Sequence, residues 1–175
     1  GMTDTGFFAP EEKWKRLAAV YTPDEKGGLK VDPATDAPQF KYSPRAPMGG
    51  GGLVSTAADY WRFAQMMLNR GELNGTRILG RKTVELMTSN ALPAGVWRDN
   101  LPNCCYGLGV EVVTDLGTAK ELCSVGKFGW SGAATTHFWV DPAEALIGIV
   151  LVQIMPFDAV PVRVDFQNLV YQALD

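Results

Sequence analysis

The stretch Phe128-Gly129-Trp130-Ser131-Gly132-Ala133-Ala134-Thr135-Thr136-His137-Phe138-Trp139-Val140, closed by Asp141-Pro142, is followed by Leu146-Ile147-Gly148-Ile149-Val150-Leu151-Val152-Gln153-Ile154-Met155. Its aromatic and β-branched content, with Asp-Pro as punctuation, predicts two adjacent antiparallel strands over 128–140 and 146–155. The second run is nearly all apolar, as a central strand covered on both faces would be. Upstream, 106–114 and 121–125 predict two further strands. Downstream, 162–174 predicts a helix against one face of the sheet, with Val164, Leu169, Val170 and Leu174 as its packed side.

The first half of the chain has a different period. Residues 11–20 predict a short amphipathic helix, with Trp14, Leu17, Ala18 and Tyr21 at helical spacing. Residues 57–69 predict a longer one, capped by Thr56 or Ser55, with Tyr60, Phe63, Ala64 and Met67 inward and Gly71 as its stop. Asn74-Gly75 is a tight-turn signal, and 81–88 predicts a third helix. The prolines and glycines of 22–47 predict irregular chain with a short extended piece at Leu29–Val31, and 89–103 reads as loop. Helices first and short-linked strands later give an α+β fold: an antiparallel sheet with flanking helices, not alternating βαβ units. At 175 residues the chain is expected to form a single domain.

Composition narrows the function. Hydrophobic residues make up 46% and charged residues 20%, so disorder is not expected. The net charge of -3 argues against a nucleic-acid binder. No run approaches the roughly 20 apolar residues of a membrane span. Residues 1–5 have no basic region followed by an apolar one, and a cytoplasmic location is expected of the chain as it stands. Cys104, Cys105 and Cys123 form neither a disulfide framework nor a zinc motif, and His137 is the one histidine. No metal site or cofactor is expected.

Three motifs suggest nucleophilic chemistry, and each has an ordinary reading. Gly129-Trp130-Ser131-Gly132-Ala133 nearly matches a nucleophile elbow, which requires a strand, a turn and then a helix. If 128–140 is one continuous strand, Ser131 and His137 stand ~20 Å apart on it and share no proton. Ser124-Val125-Gly126-Lys127 spells Ser-x-x-Lys, which works on one helix face, and Gly126 speaks against a helix here. The glycines 49–52 lack the lysine of a phosphate loop. Lys82-Thr83-Val84 lacks the glycine of a Lys-Thr-Gly triplet and lies on a predicted helix.

Taken together, Met2 to Phe7, Gly51-Gly52-Leu53-Val54-Ser55-Thr56-Ala57-Ala58-Asp59-Tyr60, Phe128 to Ala133 and His137 to Pro142 resemble the C-terminal part of the serine beta-lactamase-like family. That family includes class C beta-lactamases, family VIII carboxylesterases, D-amino-acid peptidases and penicillin-binding-protein relatives. The resemblance implies a partial beta-lactamase/transpeptidase-like fold. It places Trp130-Ser131-Gly132 where the family has its cleft-lining Lys-Thr-Gly strand, and the Ala133 backbone N–H at the oxyanion hole. The family's early Ser-x-x-Lys and its Tyr motif have no counterpart here, so no catalytic nucleophile is expected in this chain. Three readings follow: an inactive hydrolase-derived fragment, a binding and assembly module reusing the fold, or, as the least favoured, an active esterase using Ser131 or Ser124. The missing half would leave apolar surface bare, which predicts a homodimer, unless the loop 22–47 folds back over the gap and leaves a monomer.

Overall fold

The computed structural model describes residues 1–33, 40–43, 46–96 and 105–174. The prolines at 38 and 44, Trp97 and Cys104 lie outside them.

Strands β1 (Tyr21–Pro23) and β2 (Leu29–Val31) pair as a small antiparallel hairpin. Helix α1 (Ala57–Leu68) starts where expected: Thr56 stays extended and its side chain accepts the Asp59 N–H, satisfying one of the helix's orphan donors. Strands β3 (Glu72–Leu73) and β4 (Thr76–Arg77) form a hairpin around Asn74 and Gly75, both at positive φ, as an Asn-Gly turn requires. Helix α2 (Arg81–Met87) follows. The main sheet has five antiparallel strands in sequence order: β5 (Cys105–Tyr106), β6 (Glu111–Val112), β7 (Phe128–Ser131), β8 (His137–Asp141) and β9 (Leu146–Val150). A single turn, α3 (Leu116–Ala119), separates β6 from β7, and α4 (Val162–Gln172) ends the fold.

The pleat sends alternate residues of β7 and β8 to opposite faces. Phe128, Phe138 and Val140 join Val112 and pack on Ala64, Met66 and Met67 of α1. Tyr60 and Phe63 meet the Phe138 ring edge-on at 4.9 and 6.1 Å. The other face carries Ser131, His137, Trp139 and Asp141 under α4. Trp139 is fully buried there, stacked on His137 and Tyr171 and edge-on to Phe166. A Cβ at Gly148 would lie 2.1 Å from the Trp139 ring, so only glycine lets the indole lie on β9.

Several expectations are corrected. The 128–140 segment is two strands folded into a hairpin, with Ser131 paired to His137. Its turn, 132–136, contains little of the Gly-Asn-Asp chemistry that marks turns, and Thr135 takes the left-handed conformation instead. The 106–114 strand is likewise a hairpin, β5 to β6, with Gly109 at positive φ. Residues 121–125 form no strand. The 11–20 helix is a 3-10 helix over Glu11–Arg16 that Leu17 leaves in extended conformation. The run 146–155 is a strand only to Val150. Moreover, among the described residues β9 borders β8 alone, so it is an edge rather than the centre. An apolar run reports covered faces and says nothing of neighbours in the hydrogen-bonding direction. On α4 the buried residue is Gln167, while Leu169 is exposed, and Leu174, expected on the helix, lies exposed beyond its end.

The N-terminal segment is tied to the start of α1. Gly6 and Val54 exchange backbone hydrogen bonds. The buried Asp59 carboxylate accepts from the Asp4 N–H and the Thr5 hydroxyl. Asp4 in turn pairs with Lys13 and Arg16, whose hydrogen bonds hold its carboxyl well below the usual carboxylate range.

Candidate functional site

The end of β7 is where the sheet opens. Strand β6 pairs with Phe128 and Gly129 only, so no described strand borders Trp130 and Ser131 on that side. Trp130 is partly exposed and meets the Tyr106 ring edge-on at 5.0 Å. The turn that follows is held from within: the Gly132 amide donates to Thr136 O and the Thr135 amide to Gly132 O. The Thr135 hydroxyl, fully buried, donates to Ile154 O and accepts the Asp158 N–H. Among the described residues the Ala133 amide has no backbone acceptor. A cavity of about 460 Å³ opens beside this turn, lined by Trp130, Ser131, Gly132 and Ala133 together with Glu111, Glu121, Phe157 and Arg163.

Behind the cavity runs a chain of buried polar groups that sequence reading did not assemble. Ser131 Oγ lies 2.9 Å from His137 Nδ1, where one continuous strand would have set them ~20 Å apart. His137 Nε2 lies 3.4 Å from Gln167 Oε1. Lys127 Nζ donates to the same Gln167 oxygen at 3.3 Å and to Glu121 Oε1 at 2.9 Å. Gln167 Nε2 donates to Leu122 O. Lys127, His137 and Gln167 are all nearly or fully buried. Burial pushes the His137 pKa down to about 4, and the Arg163 and Lys127 cations push it in the same direction. Arg163 is itself held charged by two-pronged contact with Asp158. The signal for the Ser131–His137 contact was their even spacing, which a hairpin read at Gly132 would have turned into cross-strand partners.

This geometry decides what Ser131 can do. A serine nucleophile needs a base that gains a proton as the hydroxyl attacks. His137 is within reach, but its imidazolium would form in a buried site beside Lys127 and Arg163, where its far nitrogen meets the Gln167 amide oxygen and, among the described residues, no carboxylate. The arrangement is therefore suited to fixing a hydroxyl, not to activating it. The Ser124 to Lys127 string is a turn, not a helix: the Lys127 amide donates to Ser124 O, Lys127 Nζ points to Glu121 and Gln167, and Ser124 Oγ contacts Glu144. The four glycines lie on an exposed turn with the amide of Gly51 donating to Met48 O. Neither Cys105 nor Cys123 is joined in a disulfide. No cluster of three or more acidic, His or Cys residues among the described ones could hold a metal ion, and no described helix is long and apolar enough to cross a membrane.

Comparison with known proteins agrees with this architecture. The chain is 35% identical over 165 residues to Protein Rv1367c of Mycobacterium tuberculosis, a match covering 89% of this chain and 41% of that protein. It superposes on a LovD6 mutant of simvastatin synthase from Aspergillus terreus with a TM-score of 0.77 at 21% identity, covering 97% of this chain and 46% of the other. On EstCE1, described as a hydrolase with promiscuous acyltransferase activity, the TM-score is 0.73 at 21% identity, covering 98% and 47%. The chain thus spans less than half the length of each. The beta-lactamase family model matches residues 1–172, and with the sheet and helices arranged as in those structures, the chain belongs to the beta-lactamase family.

Proposed function

We propose that the chain is the C-terminal portion, or a shortened homologue, of a serine hydrolase or acyltransferase of this family. In this reading Trp130, Ser131 and Gly132 form one wall of the acyl-transfer cleft, the Ala133 N–H is an oxyanion donor, and the nucleophile comes from residues that this chain lacks. One observation carries it: the end of β7, which no described strand borders beyond Gly129, lines a cavity and is followed by an amide with no backbone acceptor among the described residues, while the serine in that strand is bonded to a histidine that is a poor base. EstCE1 and simvastatin synthase support the reaction class through the shared fold.

The chain alone should not hydrolyse a chromogenic short-chain ester or a beta-lactam above background. Loss of a nucleophile outweighs any oxyanion donor, whose removal alone costs on the order of 10²–10³ in rate. A second reading, Ser131 as the nucleophile with His137 as base, is favoured only by their 2.9 Å contact. It requires turnover that Ser131→Ala abolishes, and that result would replace the first reading. As the assembly alternative, the edge of β9 that no described strand pairs, the exposed Leu169 of α4 and the exposed Leu174 just beyond it supply surface for a homodimer. Light scattering with size exclusion at micromolar concentration tests it: a 38 kDa species supports the dimer, twice the 19.0 kDa chain, and a species at chain mass removes it.

A further inference from the structure

We propose that Thr135 is a positioning residue for the acyl-transfer site: its buried hydroxyl rivets the turn that carries the Ala133 N–H to the 154–158 segment, which supplies Phe157 to the cavity lining. The use of the Ala133 N–H rests on the cleft-wall reading, while the rivet itself stands on the hydrogen bonds of the turn.

Those bonds show what the backbone needs. The Thr135 amide donates to Gly132 O at 3.0 Å, which closes residues 132–135 into a β-turn. Ala133 and Ala134 are its central residues, whose amides take no part in the turn bond. The Ala133 N–H is thereby left without a backbone acceptor among the described residues, while Ala134 O accepts the Ile154 amide at 2.9 Å. A three-residue hairpin loop of this kind ends on a residue in the left-handed region, where glycine is the ordinary choice. Here that residue is Thr135, with a φ of 63°. A β-branched side chain is an outlier in that region. Glycine would make the same turn without strain, but it could not supply a hydroxyl.

The work of the hydroxyl accounts for the threonine. Thr135 is fully buried, and its Oγ1 donates to Ile154 O at 2.9 Å and accepts the Asp158 N–H at 3.1 Å. Its proton and a lone pair are both spent on one segment. That segment reaches the cavity twice. Phe157 lines it, and Asp158 holds Arg163, another lining residue, through contacts of 2.9, 3.1 and 3.3 Å. One side chain thus ties the turn after Trp130 and Ser131 to Phe157 and Arg163 of the same cavity. Local strain that surrounding bonds hold in place is what a preorganised donor requires. An amide fixed before its oxyanion arrives needs no ordering when it binds.

Three variants of the 175-residue chain separate hydroxyl from backbone. Thr135→Val keeps the shape and loses the hydroxyl. Thr135→Gly loses the hydroxyl and accepts the positive φ, so it carries the comparison if Thr135→Val fails to fold. Thr135→Ser keeps the hydroxyl. The first measurement is amide nitrogen relaxation by NMR with no ligand. The Ala133 order parameter should be about 0.85, as in a rigid strand, and should fall below about 0.6 in Thr135→Val and Thr135→Gly but not in Thr135→Ser. The second is a titration with methyl phenylphosphonate, a tetrahedral monoanion on an aromatic ring, read at the Ala133 amide. Binding should be about tenfold weaker in Thr135→Val and Thr135→Gly, the size of an avoided ordering cost, and within about twofold of the parent in Thr135→Ser. A mobile Ala133 amide in the parent chain, or a Thr135→Gly chain with rigidity and affinity unchanged, would overturn the proposal. If the parent amide is rigid, loosens with loss of the hydroxyl and yet is not moved by the phosphonate, the cleft-wall reading fails, and the site role of Thr135 fails with it.

Discussion

Lowering the pH from 7 to 5 should cost this chain about 2 kcal/mol of folding stability, through one residue. In the unfolded chain His137 titrates near 6.5, and in the fold its pKa is about 4. Between those values the unfolded state binds the proton and the folded state does not. Stability therefore rises with pH across the window and falls as the pH drops through it, by about 3 kcal/mol in all. The cause is visible in the packing: the ring is buried between Ser131, Trp139 and Gln167, with Lys127 and Arg163 close enough to oppose a third positive charge. Because the chain has a single histidine, the assignment needs no separation of sites. Asp4 and Glu85, whose pKa values are lowered by their basic partners, weaken the fold only at still lower pH. Urea denaturation followed by tryptophan fluorescence at pH 7, 6 and 5 measures the effect. With a slope of about 2 kcal/mol/M, the midpoint should fall by about 1 M between pH 7 and 5. A midpoint that moves by less than about 0.2 M would refute the buried, cation-flanked environment described for His137.

Other expectations follow from packing and capping. Gly148→Ala would force a methyl into the Trp139 ring; a loss of about 3 kcal/mol or failure to fold is expected, measured by thermal unfolding. Met67→Ala, at a 2% exposed position of α1, should cost about 2–5 kcal/mol in the same assay. Thr56→Ala removes the side chain that accepts the Asp59 amide and should cost about 1 kcal/mol. Leu169→Glu, at a 64% exposed position, should leave monomer stability within about 0.5 kcal/mol and, if α4 forms a dimer contact, lower the apparent mass in light scattering.

The parts of this fold that were legible from sequence are those with local chemistry. Thr56 announced the start of α1, Asn74-Gly75 announced its hairpin, and the apolar residues of 128–150 announced a sheet under a C-terminal helix. The parts that were not legible depend on contacts remote in sequence or on weak turn signals. Thr135 supplies a left-handed residue where glycine would have been expected, and without that cue a hairpin reads as one long strand. The error mattered for the site, because it separated Ser131 from His137. Gln167 could not be foreseen: on a helix whose apolar positions point to Leu169 and Leu174, the buried residue is a polar one whose amide joins Lys127 to His137. Leu169 and Leu174 mislead for a related reason, since their spacing encodes a packed face that no described residue covers. The Trp130-Ser131-Gly132 triplet was singled out only by resemblance; its position at the end of β7, beyond the reach of β6, depends on how far β6 pairs.

The central claim is that this chain supplies a wall of an acyl-transfer cleft and no nucleophile. Incubation of the purified chain with a fluorophosphonate reagent, followed by intact-mass analysis, tests it directly. The account predicts an unmodified mass at neutral pH after exposure that saturates a serine esterase run in parallel. A stoichiometric adduct that maps to Ser131 or Ser124 would contradict it.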